Sequence, residues 1–307
     1  MKALSIGSCV LDVYVEIDKL PGLGEDVNTR DLKMSLGGMA YNVYNILSLF
    51  DEGHVLGCAI GEGLIADIVA GLLKKRGHRP IGLIPGLDNG MCLCLVDDSK
   101  ERSFISHHGA EYRFDPTLFE NTDFSDIGWI YCSGLELEDV DGDKIISFLQ
   151  QKNKNVFFAP GPRLHKLAPG ILERMYRLHP LLHINQREAS LITGASDIYE
   201  NAEKISALTG NTVIITLGEQ GTLLKEPGKE PQLIPSFKVD MLDSTGAGDN
   251  HAGSVLACLC RGMSCEDAVR AANKISSYVV RQKGASLTRE NFNKAMEELK
   301  ALNIPGI

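Results

Sequence analysis

The sequence has no apolar run approaching the roughly 20 residues that a membrane helix requires, so no membrane span is expected. Nor does it open like a secretory signal. Lys2 precedes a short apolar stretch, but Gly7, Ser8 and Asp12 interrupt it early. Positive charge is short: Lys and Arg number 31 against 40 Asp and Glu, a formal net charge of −9. General nucleic-acid binding relies on Lys and Arg to neutralise phosphates, so that class is set aside. A small polyanion stays admissible, because its binding depends on the local field and not on the net charge. Cysteine is sparse too. Eight in 307 residues do not make a disulfide scaffold; Cys92/Cys94 and Cys258/Cys260 are C-x-C pairs, and no C-x-x-C occurs. Reduced, structural cysteines in a cytoplasmic protein are expected. Internal repeats and low-complexity segments are absent, as is the Walker A pattern G-x-x-x-x-G-K-[ST].

What is present is enough for a full core. The 307 residues are 44% hydrophobic and 23% charged, an ordinary globular composition. A chain of this length makes one large α/β domain or two smaller ones and buries about three quarters of its unfolded surface. Short apolar stretches at 3–8, 13–17, 54–60, 129–133, 155–159, 181–184 and 212–216 read as strands. Helical patterns cover 39–50, 64–76, 143–151, 168–177 and 252–261. Strands alternating with helices predict a three-layer α/β/α fold with a mostly parallel central sheet. Two polar hairpin regions, about 12–35 and 88–110, break the rhythm. In the second, 91–96 and 102–107 flank the turn Asp97-Asp98-Ser99-Lys100. We expect both regions to form one small β sheet, a lid on a single domain spanning 1–307.

The most informative stretch is Asp243-Ser244-Thr245-Gly246-Ala247-Gly248-Asp249, ahead of a helical run. Small residues at a helix N-terminus expose successive N–H groups along the positive end of the helix dipole, a cradle for an anion. Asp249 would then stand where a transferred phosphoryl meets its acceptor hydroxyl, able to take the proton. A second reading is equally open: a tight loop capping a helix, with Asp249 as N-cap. The position near the C-terminus does not fit a dinucleotide fingerprint.

This turn resembles the C-terminal signature of the ribokinase-like, PfkB-type carbohydrate kinases. The resemblance implies that Asp249 is the catalytic base and that the Gly246, Ala247 and Gly248 amides form the anion hole. Other segments match the family in order, over about residues 3 to 290. Gly37-Gly38 with Asn42 looks like the pair that binds sugar hydroxyls, although alone it suits a helix-opening turn with a capping Asn. Asp12, a strand-end or solvated loop acid by itself, matches an Asp that accepts bonds from two sugar hydroxyls; a carboxylate suits a polyol because it accepts several O–H groups at once. Asn185 and Glu188 match an N-x-x-E motif that implies a role toward Mg²⁺, with Glu188 acting through water. Thr216, Gly218 and Gly221 match a T-x-G-x-x-G turn set against the nucleotide, otherwise an ordinary hairpin. Asn273 matches a position beside the adenine, and Lys283-Gly284-Ala285 the loop that closes the nucleotide site. Asp243 and Thr245 match positions whose backbone or side-chain oxygens hold a monovalent cation, K⁺, in several members.

Two departures stand out. Asn250-His251 replace a small residue and an aromatic, with His251 expected to pack under the loop. Ala159-Pro160-Gly161-Pro162-Arg163 lacks the Asp and Asn that many members place there, so Arg163 is not carried over. The resemblance implies transfer of the γ-phosphoryl of Mg-ATP to a primary hydroxyl of a sugar. A nucleoside kinase of the same fold is the alternative; it needs an apolar base slot, for which Tyr14, Met39, Tyr41 and Phe104 are candidates. A non-catalytic sugar or nucleotide sensor is a third reading, disfavoured by the intact Asp249. Arg30, Lys33, Lys100 and Arg102 could meet a phosphosugar but read as solvated lid charges. Expected partners are ATP, a sugar or nucleoside, and a second copy docked through the lid.

Overall fold

The computed structural model describes residues 1–307 except 52, 99–101 and 283. Ser99, Lys100 and Lys283, named above, therefore lie outside the described residues. The main sheet has eight strands, in spatial order Gln232–Ile234, Thr222–Lys225, Val213–Thr216, Leu181–Asn185, Asn155–Ala159, Ile127–Ser133, Lys2–Ile6 and Val55–Gly57. From Val213–Thr216 to Val55–Gly57 all neighbours are parallel, and the first two strands are antiparallel. This is the expected mostly parallel α/β architecture.

Strand side chains alternate between two cores, as the period of two dictates. Ala3, Tyr131, Phe157 and Ile214 feed one; Leu4, Ile130, Phe158 and Val213 feed the other. Helices Met39–Phe50, Ala247–Cys260, Cys265–Val279 and Arg289–Ala301 cover the first core. Helices Gly142–Lys152, Gln186–Thr193 and Ile198–Thr209 cover the second. Each fully buried Phe or Leu here contributes about 1.5–3 kcal/mol. No helix among the described residues is long and apolar enough to cross a membrane.

The two polar regions form one separate sheet, in the order Asp31–Gly37, Val10–Glu16, Met91–Val96, Arg102–His107. Its register puts Asp12, Tyr14, Cys94, Phe104 and Arg102 on one face, and Leu11, Val13, Leu36, Met34 and Ile105 on the other. Helix Leu64–Lys75 covers part of the apolar face.

Several boundaries differ from expectation. The stretch 54–60 is two pieces, because the chain leaves the main sheet at Cys58 and Ala59–Ile60 pairs instead with Gly82–Leu83. Strands Thr222–Lys225 and Gln232–Ile234 were not legible. All four residues of the former are buried, which erases the alternation that marks a strand. The helix read at 252–261 begins at Ala247, since Ala-Gly-Asp carries no apolar period. Asp12 lies inside the strand Val10–Glu16 of the small sheet, so its carboxylate comes from that sheet and not from a strand end of the main one.

Candidate active site

The Gly-rich turn forms the N-terminus of helix Ala247–Cys260, which packs along helix Met39–Phe50. Gly246, with φ +70°, is the residue before the first helical turn. A Cβ there would lie 2.5 Å from the Ala285 Cβ, so no other side chain fits. Asp249 is thus the third helical residue and not the cap, which removes the capping reading of its carboxylate. Ala247 N–H bonds to Ser244 O at 3.2 Å. The Gly246, Gly248 and Asp249 amides have no partner among the described residues, as expected for the first turn of a helix. The Asn250 side chain donates to both Gly246 O and Ala285 O at 2.7 Å, pinning the turn to the loop after Gly284. Sequence reasoning gave Asn250 no role; its signal is an amide side chain inside a helix, where it competes with the backbone for hydrogen bonds.

Asp249 meets the end of the second motif. Asn42 Nδ2 donates to its Oδ2 at 2.8 Å, and the buried Asn42 Oδ1 has no partner among the described residues. Burial pushes the Asp249 carboxyl up to about 7; the Asn42 bond opposes this, and the Asp12 charge adds to it. Asp12 is pushed up to about 7 by burial. Its side chain lies so close over Gly37 that a Cβ there would fall 1.9 Å from Asp12 Oδ2. Gly38, at φ +94°, turns the chain under Ser8 O into the helix. The pair of glycines thus brings Asp12, Asn42 and Asp249 to one place.

Asn185 and Glu188 lie at the mouth of strand Leu181–Asn185, as a capping box. Asn185 Oδ1 accepts from Glu188 N at 2.9 Å, and the Glu188 carboxylate accepts from Asn185 N and Nδ2. Burial raises the Glu188 carboxyl above its usual range, against the Asn185 bonds. An open cleft of about 380 Å³ separates this box from Thr216, Leu217 and Gly218. The turn from Thr216 to Gly221 does join two antiparallel strands as a hairpin, with Gly218 and Gly221 at positive φ. No cluster of three His, Cys, Asp or Glu that could hold a metal occurs among the described residues. The carboxylate of Glu188 and the amide oxygen of Asn185 are hard donors of the kind that suits Mg²⁺.

Asn273 is not directed at the cleft. Its amide donates to Ile234 O and Pro235 O, and its Oδ1 accepts from Thr222 and His251. It ties strand Thr222–Lys225 to the backbone at Ile234 and Pro235. That acceptor fixes the His251 proton on Nε2, so Nδ1 accepts from His183 Nε2 at 2.8 Å. Burial keeps His251 at about 4 and His183 well below its usual range, and both are neutral. His251 is buried among His183, Thr222 and Asn273.

Asp243, Thr245 and Gly284 form a third contact, joined by a residue from the small sheet. Arg102 donates to Asp243 Oδ1 and Thr245 Oγ1, each at 2.6 Å. Gly284 N donates to Asp243 Oδ2 at 2.9 Å. Arg102 is therefore no solvated charge. Arg30 pairs with Asp18 and Asp98, on the loops that leave the small sheet, and Lys33 with Asp31 of its own strand. Tyr41 is buried and bonded to Arg76 and His78, which removes it from any base slot; Met39 packs against Gly161. Arg163 pairs with Glu138 beside His108.

A carboxyl that ionises near neutral pH, set beside free helix-terminal amides, suits a phosphotransferase acting on a hydroxyl. The chain matches the model of the pfkB family of carbohydrate kinases over residues 1–291 and belongs to that family. It is therefore a carbohydrate kinase, a phosphotransferase with an alcohol group as acceptor. It is 29% identical to the uncharacterized sugar kinase YegV of Escherichia coli K12 over 301 residues, covering 94% of this chain and 91% of that one. Its fold resembles the ribokinase of Arabidopsis thaliana solved with ribose and ATP, with a TM-score of 0.78 at 19% identity over 96% of this chain and 98% of that one. It also resembles the Burkholderia thailandensis nucleoside kinase solved with inosine, with a TM-score of 0.77 at 18% identity over 98% and 96%.

Proposed function

We propose that this chain transfers the γ-phosphoryl of ATP to a primary hydroxyl of a sugar, with Asp249 as general base. The carrying observation is the Asp249 carboxyl, raised to about 7 by burial, held by Asn42 and placed in the first turn of a helix with unpaired amides. Asp12, the Gly38 turn and Asn42 hold the sugar; the unpartnered Asn42 Oδ1 is an acceptor for one of its hydroxyls. As the acceptor oxygen bonds to phosphorus, Asp249 takes its proton and ADP departs with the electrons of the broken P–O bond. The Gly246 and Gly248 amides stabilise the anionic oxygens together with the helix dipole, while the Ala247 amide, expected to join them, is already held by Ser244 O. Thr216, Gly218 and Gly221 line the nucleotide side, Gly284 closes it, and Asn273 supports it. Mg²⁺, when bound with the nucleotide, supplies charge neutralisation, with Asn185 and Glu188 as its outer ligands. The small sheet acts as a lid over the acceptor and limits water access, within one domain.

A nucleoside acceptor is the second reading, favoured by Phe104, 59% exposed on the same face of the lid as Asp12. An ADP-release screen against sugars, phosphosugars and nucleosides separates the two. We expect release with a sugar, lost in Asp249→Ala while ATP binding is kept. Full activity in that variant, or no acceptor-dependent release, refutes the reading.

The outer face of the lid leaves Leu32, Met34 and Ile105 exposed, and we assign it to a second copy of the chain. Sedimentation should give a dimer that Met34→Glu converts to monomer; a monomeric parent overturns this assignment. All eight cysteines are unpaired, which supports a cytoplasmic setting.

A further inference from the structure

The family resemblance gives Asp243 and Thr245 to a monovalent cation, and their surroundings do not fit one. Asp243 has only 4% of its side chain exposed. Its Oδ1 already accepts from Arg102 Nη2 and from Thr245 N at 2.7 Å, and its Oδ2 from Gly284 N. Thr245 Oγ1 accepts from Arg102 Nη1. The guanidinium thus takes Asp243 Oδ1 and Thr245 Oγ1, the Gly284 amide takes Asp243 Oδ2, and a positive charge already stands where an ion would meet these side chains. A second unit positive charge about 4 Å away in such surroundings would be bound on the order of a thousandfold more weakly.

We infer that Arg102 stands in for the monovalent cation, as a tethered charge that the lid delivers to the catalytic turn. The route of its effect is short. Arg102 fixes Asp243, Asp243 fixes Gly284 through its amide, and Asn250 ties Ala285 to Gly246 of the proposed anion hole. Arg102 is accordingly a positioning residue, and the enzyme needs no K⁺. The same link makes a closed lid a condition for an ordered turn. This inference rests on reading the turn as the phosphate site.

The test has two readouts. Melting temperature is measured in K⁺, Na⁺ and tetramethylammonium chlorides at equal ionic strength, on protein without substrate. Turnover is measured in the same salts with an acceptor found by the screen. The parent should show no K⁺-specific rise in melting temperature and kcat/KM equal within about twofold across the salts. Arg102→Ala should lose about ten- to a hundredfold in kcat/KM without K⁺. It should regain activity with K⁺ and show a K⁺-specific rise in melting temperature. Arg102→Lys should keep K⁺ independence, because it returns the charge. A parent stabilised or activated specifically by K⁺ overturns the inference, as does an Arg102→Ala protein as active as the parent in every salt. If Arg102→Ala does not fold, Arg102→Met and the parent arms decide. If no acceptor turns over, the kinase reading fails, while the melting arm still decides the cation question.

Discussion

Replacing Asp249 by Asn should make the protein more stable and far less active. The substitution keeps an oxygen for Asn42 Nδ2 and removes the charge. The folded carboxyl sits at about 7 against an ordinary 3.8, and at 1.36 kcal/mol per pH unit the burden on the ionised folded state is at most about 4 kcal/mol. Water entering the open site reduces this, so about 2 kcal/mol is the working figure. The sign follows from proton binding. Between pH 3.8 and about 7 the folded form keeps a proton that the unfolded chain releases, so parental stability falls through that window. Above pH 7 the loss is complete. Asp249→Asn should therefore match the parent near pH 4, pull ahead as pH rises, and level off above 7. At pH 8 the gain should be on the order of 5 °C in melting temperature. Loss of the base should cost about 10²- to 10⁴-fold in kcat. In the parent, kcat/KM should rise with pH through about 7 as the base ionises. Urea titrations at pH 4, 6 and 8, run with initial rates, measure both. A variant less stable than the parent at pH 8, or one with parental turnover, refutes the reasoning.

Gly37→Ala puts a methyl 1.9 Å from Asp12 Oδ2 and must displace that side chain. Steady-state kinetics should show a loss of about 10²-fold in kcat/KM for the acceptor with KM for ATP little changed; an equal rise in both KM values counts against an acceptor role for Asp12. His251→Leu leaves the His183 Nε2 proton without its acceptor and takes one donor from Asn273. Denaturation should show a loss of about 1–3 kcal/mol with KM for ATP raised more than kcat is lowered; unchanged stability contradicts a buried His183–His251–Asn273 chain.

Most of the architecture could be read in advance because it follows from local periodicity. The parallel strands appeared as apolar stretches between helical patterns, and the small sheet as two polar interruptions. The strand Thr222–Lys225 escaped because burial on both faces leaves no alternation to detect. The motifs picked out Asp12, Asn42 and Asp249 of the candidate site, and the fold brings them together. Asn273 and Arg102 were not legible, since one points behind the cleft and the other reaches across it, and no spacing rule encodes either direction.

The sequence alone determined that residues 243–249 make a Gly-rich turn ahead of a helix, because glycine's freedom and a helix terminus are properties of adjacent backbone. Only the tertiary structure decided what surrounds that turn. Asn42 reaches Asp249 across 207 residues, and Arg102 reaches Asp243 across 141. Desolvation and charge pairing depend on distance in space. The same aspartate type is therefore raised to about 7 at Asp249, while at Asp243 the amides of Gly284 and Thr245 and the Arg102 charge overcome burial and hold it below its ordinary value.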